Sequence, residues 1–167
     1  MSGYGDMFLK LKSAKGGVVK GDARDAVYAD TIHVKSFAWG MRSTSSMAAA
    51  GKTVRSTLDS IQITKHADSA STALMGVLRS NDVVTEAQLI VRKAGGNDKP
   101  IDFFTIKIKD GRVVSYDVAF EPEVPEMLVE KLTLSFRTIE VTYKGQRNDG
   151  GSGSASVFQA EALDAGG

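Results

Sequence analysis

The sequence predicts a mainly β protein: a small closed β-barrel of two antiparallel sheets with one flanking α-helix. Three observations carry that expectation. Apolar and polar residues alternate over 87–91, 104–108, 114–120 and 132–143, the period of two that buries one face of a strand and wets the other. Two segments then slip phase. Ile32 and Val34 share one face while Phe37 and Trp39 share the other, and Leu132, Leu134 and Phe136 oppose Ile139, Val141 and Tyr143. A slip needs a bulge, a bend or a strand that changes partners along its length, as expected where a sheet closes on itself. Third, Leu74, Val77 and Leu78 fall at i, i+3 and i+4, the stripe of an amphipathic helix.

The elements follow in order. Residues 6–11 put Met7, Leu9 and Leu11 on one face of a short strand, and 13–26, rich in Gly, Lys and Asp, read as a surface loop. The slipping strand begins at Ile32. Residues 41–55 are rich in Ser, Ala and Gly with little hydrophobic pattern; loops of that length are usually functional or mobile. Ile61 and Ile63 share a strand face, and Ser69 or Ser71 is placed to cap the helix. Strands at 83–93 and 101–109 form a hairpin through a turn at 94–98, and Asp110-Gly111 makes a second tight turn into a strand at 113–120. Two prolines in Glu121-Pro122-Glu123-Val124-Pro125-Glu126 remove ladder donors, which makes 121–126 an exposed acidic loop. A flexible linker at about 146–154, glycine-rich from Gly150, leads to a last strand at 157–163. The expected organisation is a single domain over 1–167 with an extended loop at about 41–55.

Composition narrows the function. A chain of 167 residues buries about two-thirds of its unfolded surface and needs no staples. There is no cysteine for disulfides or thiolate metal sites. Lys and Arg number 21 against 20 Asp and Glu, a balance that argues against a nucleic-acid partner. No window approaches the ~18 apolar residues of a membrane helix, so membrane insertion is not expected. The start, Met-Ser-Gly-Tyr-Gly-Asp, lacks the basic and apolar segments of a secretory signal. Export, if it occurs, would use a route that ignores signal peptides.

Candidate chemistry fails on spacing. Gly51-Lys52-Thr53 carries the end of a phosphate-binding loop, but Ser46 stands where its first glycine belongs. The segment after it reads as loop and strand, not as the helix whose amides hold phosphate. His33 and His66 have no histidine at i+2 or i+4, so they read as surface residues and not as metal ligands. No serine sits in a Gly-x-Ser-x-Gly elbow, and the carboxylates are scattered. Phe37, Trp39, Phe104, Phe136 and Tyr143 fall at strand spacing and suit a core better than base stacking. The expectation is a non-enzymatic protein with no catalytic residue, cofactor or metal.

Several stretches, taken in chain order, match the pattern of a known family. The matching stretches are Asp6-Met7-Phe8-Leu9-Lys10, then Ser36-Phe37-Ala38-Trp39-Gly40-Met41 before a small-residue loop, then Ile63-Thr64-Lys65 leading to Asp68-Ser69-Ala70-Ser71 and a Leu-rich helix. They continue with Ala87-Gln88-Leu89-Ile90-Val91-Arg92-Lys93-Ala94-Gly95-Gly96, Leu134-Ser135-Phe136 and Ile139-Glu140-Val141-Thr142-Tyr143. These stretches resemble the hemolysin-coregulated protein (Hcp) family, and the resemblance implies an Hcp-like barrel that assembles into hexameric rings, which stack into the inner tube of a bacterial type VI secretion system. It also implies sheath, spike and baseplate proteins as partners and effector proteins as lumenal cargo. Assembly in the cytoplasm would precede secretion to the extracellular space or a target cell without a signal peptide.

Within that frame, Met41, Arg42, Met47 and Lys52 are the expected contact between stacked rings, because the 41–55 loop is long and lacks a core pattern. Lys35 and Ser36 are expected to face the lumen and its cargo. Two rival readings keep the barrel: a tail-tube subunit of a phage-type particle, and a monomeric barrel holding a small ligand in an apolar interior.

Overall fold

The structure is a computed structural model that describes residues 6–43, 56–94, 99–123, 127–147 and 152–162. In chain order the elements are β1 (Asp6–Ser13), β2 (Gly17–Val19), β3 (Ile32–Val34), β4 (Ser36–Ala38), β5 (Met41–Ser43), β6 (Ser56–Leu58), β7 (Ile61–His66), α1 (Ser71–Arg79), β8 (Val84–Lys93), β9 (Ile101–Phe120), β10 (Leu128–Ser135), β11 (Thr138–Gln146) and β12 (Ser152–Glu161). Ten strands form one antiparallel sheet, and β5 and β6 form a separate ribbon.

The hydrogen-bonded path runs β1, β8, β9, β10, β7, β4, and the first phase slip explains how it returns. β3 pairs with β1 while β4 pairs with β7, and between them Lys35 donates its N–H to the Thr64 carbonyl at 2.8 Å. One short segment therefore joins both ends of the path and exchanges partners at Lys35. Ile32 and Val34 belong to one neighbour and Phe37 to the other. The second slip is a break: β10 stops at Ser135 beside β7 and the later half of β9, and β11 starts at Thr138 beside the earlier half.

Several expectations need correction. Asp110-Gly111 does not reverse the chain, because β9 runs unbroken through it. Asp110 adopts φ 54°, and a side chain on Gly111 would meet the Ser135 carbonyl oxygen at 2.1 Å. The pair is a bend at which β9 leaves β8 and β11 and takes up β10, and close backbone approach demands the glycine. The 13–26 loop contains β2, and residues 41–43 of the extended loop pair with 56–58. The linker expected at 146–154 overlaps both flanking strands, since Gln146 pairs with Ser152. A Cβ at Gly153 would lie 2.8 Å from the Gly145 oxygen, so at that position glycine serves strand contact and not slack.

Leu9, Ile32, Ile63, Leu89, Ile106 and Leu132 fill the interior, each no more than 2% exposed. The apolar cavity required by a ligand-binding barrel is occupied by these side chains, which removes that reading's main support. α1 lays Leu74 and Val77 on this core with Leu78 at its margin, as its stripe predicts. Neither serine caps it. Ala70 holds the cap position and receives an Asp68 carboxylate oxygen at 3.0 Å, while the Ser71 hydroxyl turns inward to Glu130 at 2.7 Å. No helix among the described residues is long and apolar enough to cross a membrane.

Candidate assembly surfaces

Alternation along β7 puts Lys65 in phase with Ile61 and Ile63, and along β10 it puts Glu130 in phase with Leu132 and Leu134. The two charges face each other in the β7–β10 register and form an ion pair, both side chains 0% exposed. Asp68 reaches the Lys65 ammonium at 2.8 Å, and Ser71 donates to Glu130. A buried charge is costly unless it is paired and hydrogen-bonded, so this network locks the start of α1 to the β7–β10 ladder. Sequence reasoning missed it, although the strand phase of Lys65 and Glu130 carried the signal.

A second cluster lies on the outer face of β1 and β8. Arg92 holds Asp25 through two hydrogen bonds of 2.9 and 2.5 Å and Asp6 through one of 3.1 Å. Its guanidinium lies 4.9 Å from the Phe8 ring centroid and 5.8 Å from that of Tyr28, and these rings stack at 5.0 Å. The Arg92 hydrogen bonds hold the Asp25 carboxyl well below the usual carboxylate range. Burial, with the hydrogen bond to Asp102, pushes the Tyr28 hydroxyl above its ordinary value. At the far side of the same loop, the Ser69 hydroxyl donates to Asp22 at 2.5 Å and lowers its pKa. Residues 20–31 are thereby strapped to the barrel wall at one end and to the start of α1 at the other.

The residues expected to serve assembly lie on two separate elements. Met41 and Arg42 stand on the β5–β6 ribbon, where Met41 is exposed and Arg42 approaches Asp59 at 3.6 Å. Met47 and Lys52, with the whole Gly51-Lys52-Thr53 match, lie outside the described residues. Lys35 and Ser36 occupy the partner-switching segment. Ser36 stands opposite Thr64, Thr64 opposite Lys131, and Lys131 opposite Asp117, a polar row across four strands. Lys35 pairs with Glu121 at 3.2 Å. No hydrogen bond or ion pair among the described residues joins the ribbon pair to the strand pair.

Two apolar surfaces carry the core's inward row into solvent. Ile139 is buried opposite Ile108, but further along β11 Tyr143, opposite Phe104, is 48% exposed, and on β12 Phe158 is 41% exposed. At the end of the β9–β10 hairpin, Phe120 and Leu128 face each other and are both exposed. Large apolar groups left open in adjoining positions mark contact surfaces.

Residues 8–143 match the family described as type VI secretion system effector, Hcp. The chain belongs to the Hcp family. Protein hcp1 of Pseudomonas aeruginosa is 30% identical over 156 residues, 91% of either chain. A solved type six secretion system protein superposes with a TM-score of 0.81 at 20% identity, covering 93% of this chain and 94% of that one. Hcp1 of E. coli EAEC 042 gives 0.77 at 17% identity over 93% and 97%, and Hcp1 of Salmonella typhimurium 0.75 at 23% over 95% of each. These likenesses establish the Hcp fold. Hcp proteins are secreted, tube-like structural components of type VI secretion, which agrees with a barrel whose interior is full. The span matched to Hcp contains Arg92, Lys65 and Glu130 and stops at Tyr143, before β12.

Proposed function

We propose that this Hcp chain is the subunit of the type VI inner tube, forming hexameric rings that stack, are propelled from the cell and carry effector proteins in their lumen. The observation that supports it most is the β11–β12 flap, whose Tyr143 and Phe158 extend the core's apolar row past the circuit of strands. A second copy laid against this face would bury it, and repetition around a closed rotation gives a ring. The polar row through Ser36, with Lys35 beside it, is the lumenal wall that meets cargo. Met41 and Arg42 on the ribbon, with Met47 and Lys52, form the contact between rings. Sheath, spike and baseplate proteins are its other partners.

Light scattering with negative-stain images of the same peak tests the reading. The expected result is a hexamer mass and ring-shaped particles. A monomer at all micromolar concentrations, in the absence and presence of the baseplate, would overturn it. Deleting residues 43–52 should leave rings intact and abolish stacking, and unchanged tubes would remove the ribbon from the ring contact. Charge reversal at Lys35 should change effector pull-down; indifference would remove it from the lumen.

A further inference from the structure

We propose that the acidic end of the β9–β10 hairpin of one copy seats in a lysine-rimmed groove on the outer wall of a neighbouring copy. The inference rests on the tube reading and assigns it a specific contact between subunits. The groove, about 450 Å³, runs between β2, the outer face of β1 and residues 29–31. Val18, 64% exposed on a three-residue strand, and Ala29 supply its open apolar lining, while the Leu11 and Val19 side chains turn into the core. Lys10, Lys12 and Lys20 line it as well. Lys10 lies over the Tyr28 ring at 5.0 Å, and Lys12 and Lys20 make no ion pair among the described residues. Of the two acidic residues present, Asp30 and Glu86, the second is paired with Lys107 at 3.6 Å. The groove therefore keeps an excess of ammonium groups around the apolar surface of Val18 and Ala29.

The hairpin end has the complementary character. Phe120, Met127 and Leu128 are exposed, and Glu121 and Glu123 stand beside them on either side of Pro122. Glu121 is held by Lys35, but both side chains are 41% exposed; such surface pairs contribute little and exchange readily. Apolar groups meet apolar lining while carboxylates meet lysines, so the same docking satisfies both. The net charge of the chain is only +1, and attraction between copies must come from opposed local patches, the arrangement that sets register and suppresses wrong partners. Because the two patches are different surfaces, the contact is heterologous and repeats from copy to copy. The groove is also pre-shaped, since the Arg92 strap and the Asp22–Ser69 hydrogen bond fix the loop that walls it. A docking site already in its bound form avoids part of the ordering cost.

The test uses the full chain and two charge-reversed variants, one carrying Lys12→Glu with Lys20→Glu and the other Glu121→Lys with Glu123→Lys, and a third chain carrying all four substitutions. Light scattering at about 0.15 M salt, near physiological screening, reads the assembled fraction, and circular dichroism confirms folding. Each reversal should weaken assembly by about tenfold or more, and the four together should restore it to within about threefold, because opposed charges have been exchanged and not lost. Assembly unaffected by either reversal, or unrestored by the combination, overturns the docking while leaving rings of the unaltered chain in place. An unaltered chain that never assembles overturns the tube reading itself, and the docking falls with it.

Discussion

Lys65–Glu130 and the Arg92 cluster do the same mechanical task at different depths. Each ties a segment outside the ladder to the barrel: α1 in the first case, the 20–31 loop in the second. The first pair is sealed in the core with both side chains 0% exposed, whereas in the second a guanidinium 9% exposed and roofed by aromatic rings meets carboxylates that reach water, Asp25 at 21% and Asp6 at 47%. A salt bridge's importance to a fold therefore depends on what its removal leaves behind. In the core the remaining partner is an uncompensated charge. On the wall, water reaches the Asp25 and Asp6 carboxylates and replaces part of what is lost.

Breaking the core pair should therefore have the largest effect. Glu130→Ala leaves Lys65 facing only Asp68 and should lower unfolding stability by about 3–5 kcal/mol, read as the midpoint of urea unfolding. Replacing both partners, Lys65→Met with Glu130→Leu, should come within about 1 kcal/mol of the unaltered chain or exceed it, because neither charge is then desolvated. A double variant as weak as the single one would mean that the network, including Ser71 and Asp68, supplies net stability.

Arg92→Lys should cost less, about 1–2 kcal/mol, through loss of the two-point grip on Asp25 and of stacking on Phe8 and Tyr28. The loss should appear as faster amide exchange in 20–31 before it appears in the barrel strands. Uniform acceleration across the sheet would show that the strap supports the whole barrel.

The Asp25 carboxyl sharpens the contrast through pH. Its folded-state pKa is depressed by Arg92, so its contribution is fully present above the ordinary carboxylate pKa of about 4 and is lost as pH falls through the lower folded value. The stability gap between the unaltered chain and Asp25→Asn should hold steady from neutrality down to about pH 4 and narrow steadily from there toward the lower folded value. A gap that stays constant from neutral pH to strong acid would show that the hydrogen-bond geometry, not the charge, holds the loop.

Much of this architecture was legible in the sequence because a strand's period of two survives packing. The two phase slips located the segment that exchanges partners at Lys35 and the break between β10 and β11, the two places where the circuit turns. What the sequence hid was whatever depends on a neighbour far along the chain. Asp110-Gly111 has the composition of a hairpin turn, and only the Ser135 carbonyl beside it shows that the same pair bends one long strand. The glycines near β12 have linker composition, yet Gly153 lies against Gly145. The Arg92 strap needs Asp6, Asp25, Phe8 and Tyr28 together, and their spacing in the chain follows no pattern. Of the expected assembly residues, Lys35 and Ser36 stand on a wall and Met41 and Arg42 on a ribbon, and those placements follow from strand register alone.

The ribbon supplies the smallest effect on the fold and the sharpest separation of folding from assembly. Among the described residues, β5 and β6 pair only with each other. Their base is held by Trp39, whose ring N–H reaches the Asp59 carbonyl at 2.9 Å, and by the Asp59 N–H on the Gly40 carbonyl at 3.0 Å. Arg42 approaches the Asp59 carboxylate only at 3.6 Å with its side chain 77% exposed. Such a pair contributes less than about 0.5 kcal/mol, so Arg42→Ala should leave the unfolding midpoint unchanged. If the ribbon joins rings, the same substitution should shorten tubes in negative-stain images while single rings persist. A stability loss of more than about 1 kcal/mol would place Arg42 among the groups that hold the ribbon to the barrel, beyond what an exposed pair supplies. It would also make the ribbon an extension of the fold, positioned like α1 and the 20–31 loop by a charge at its root.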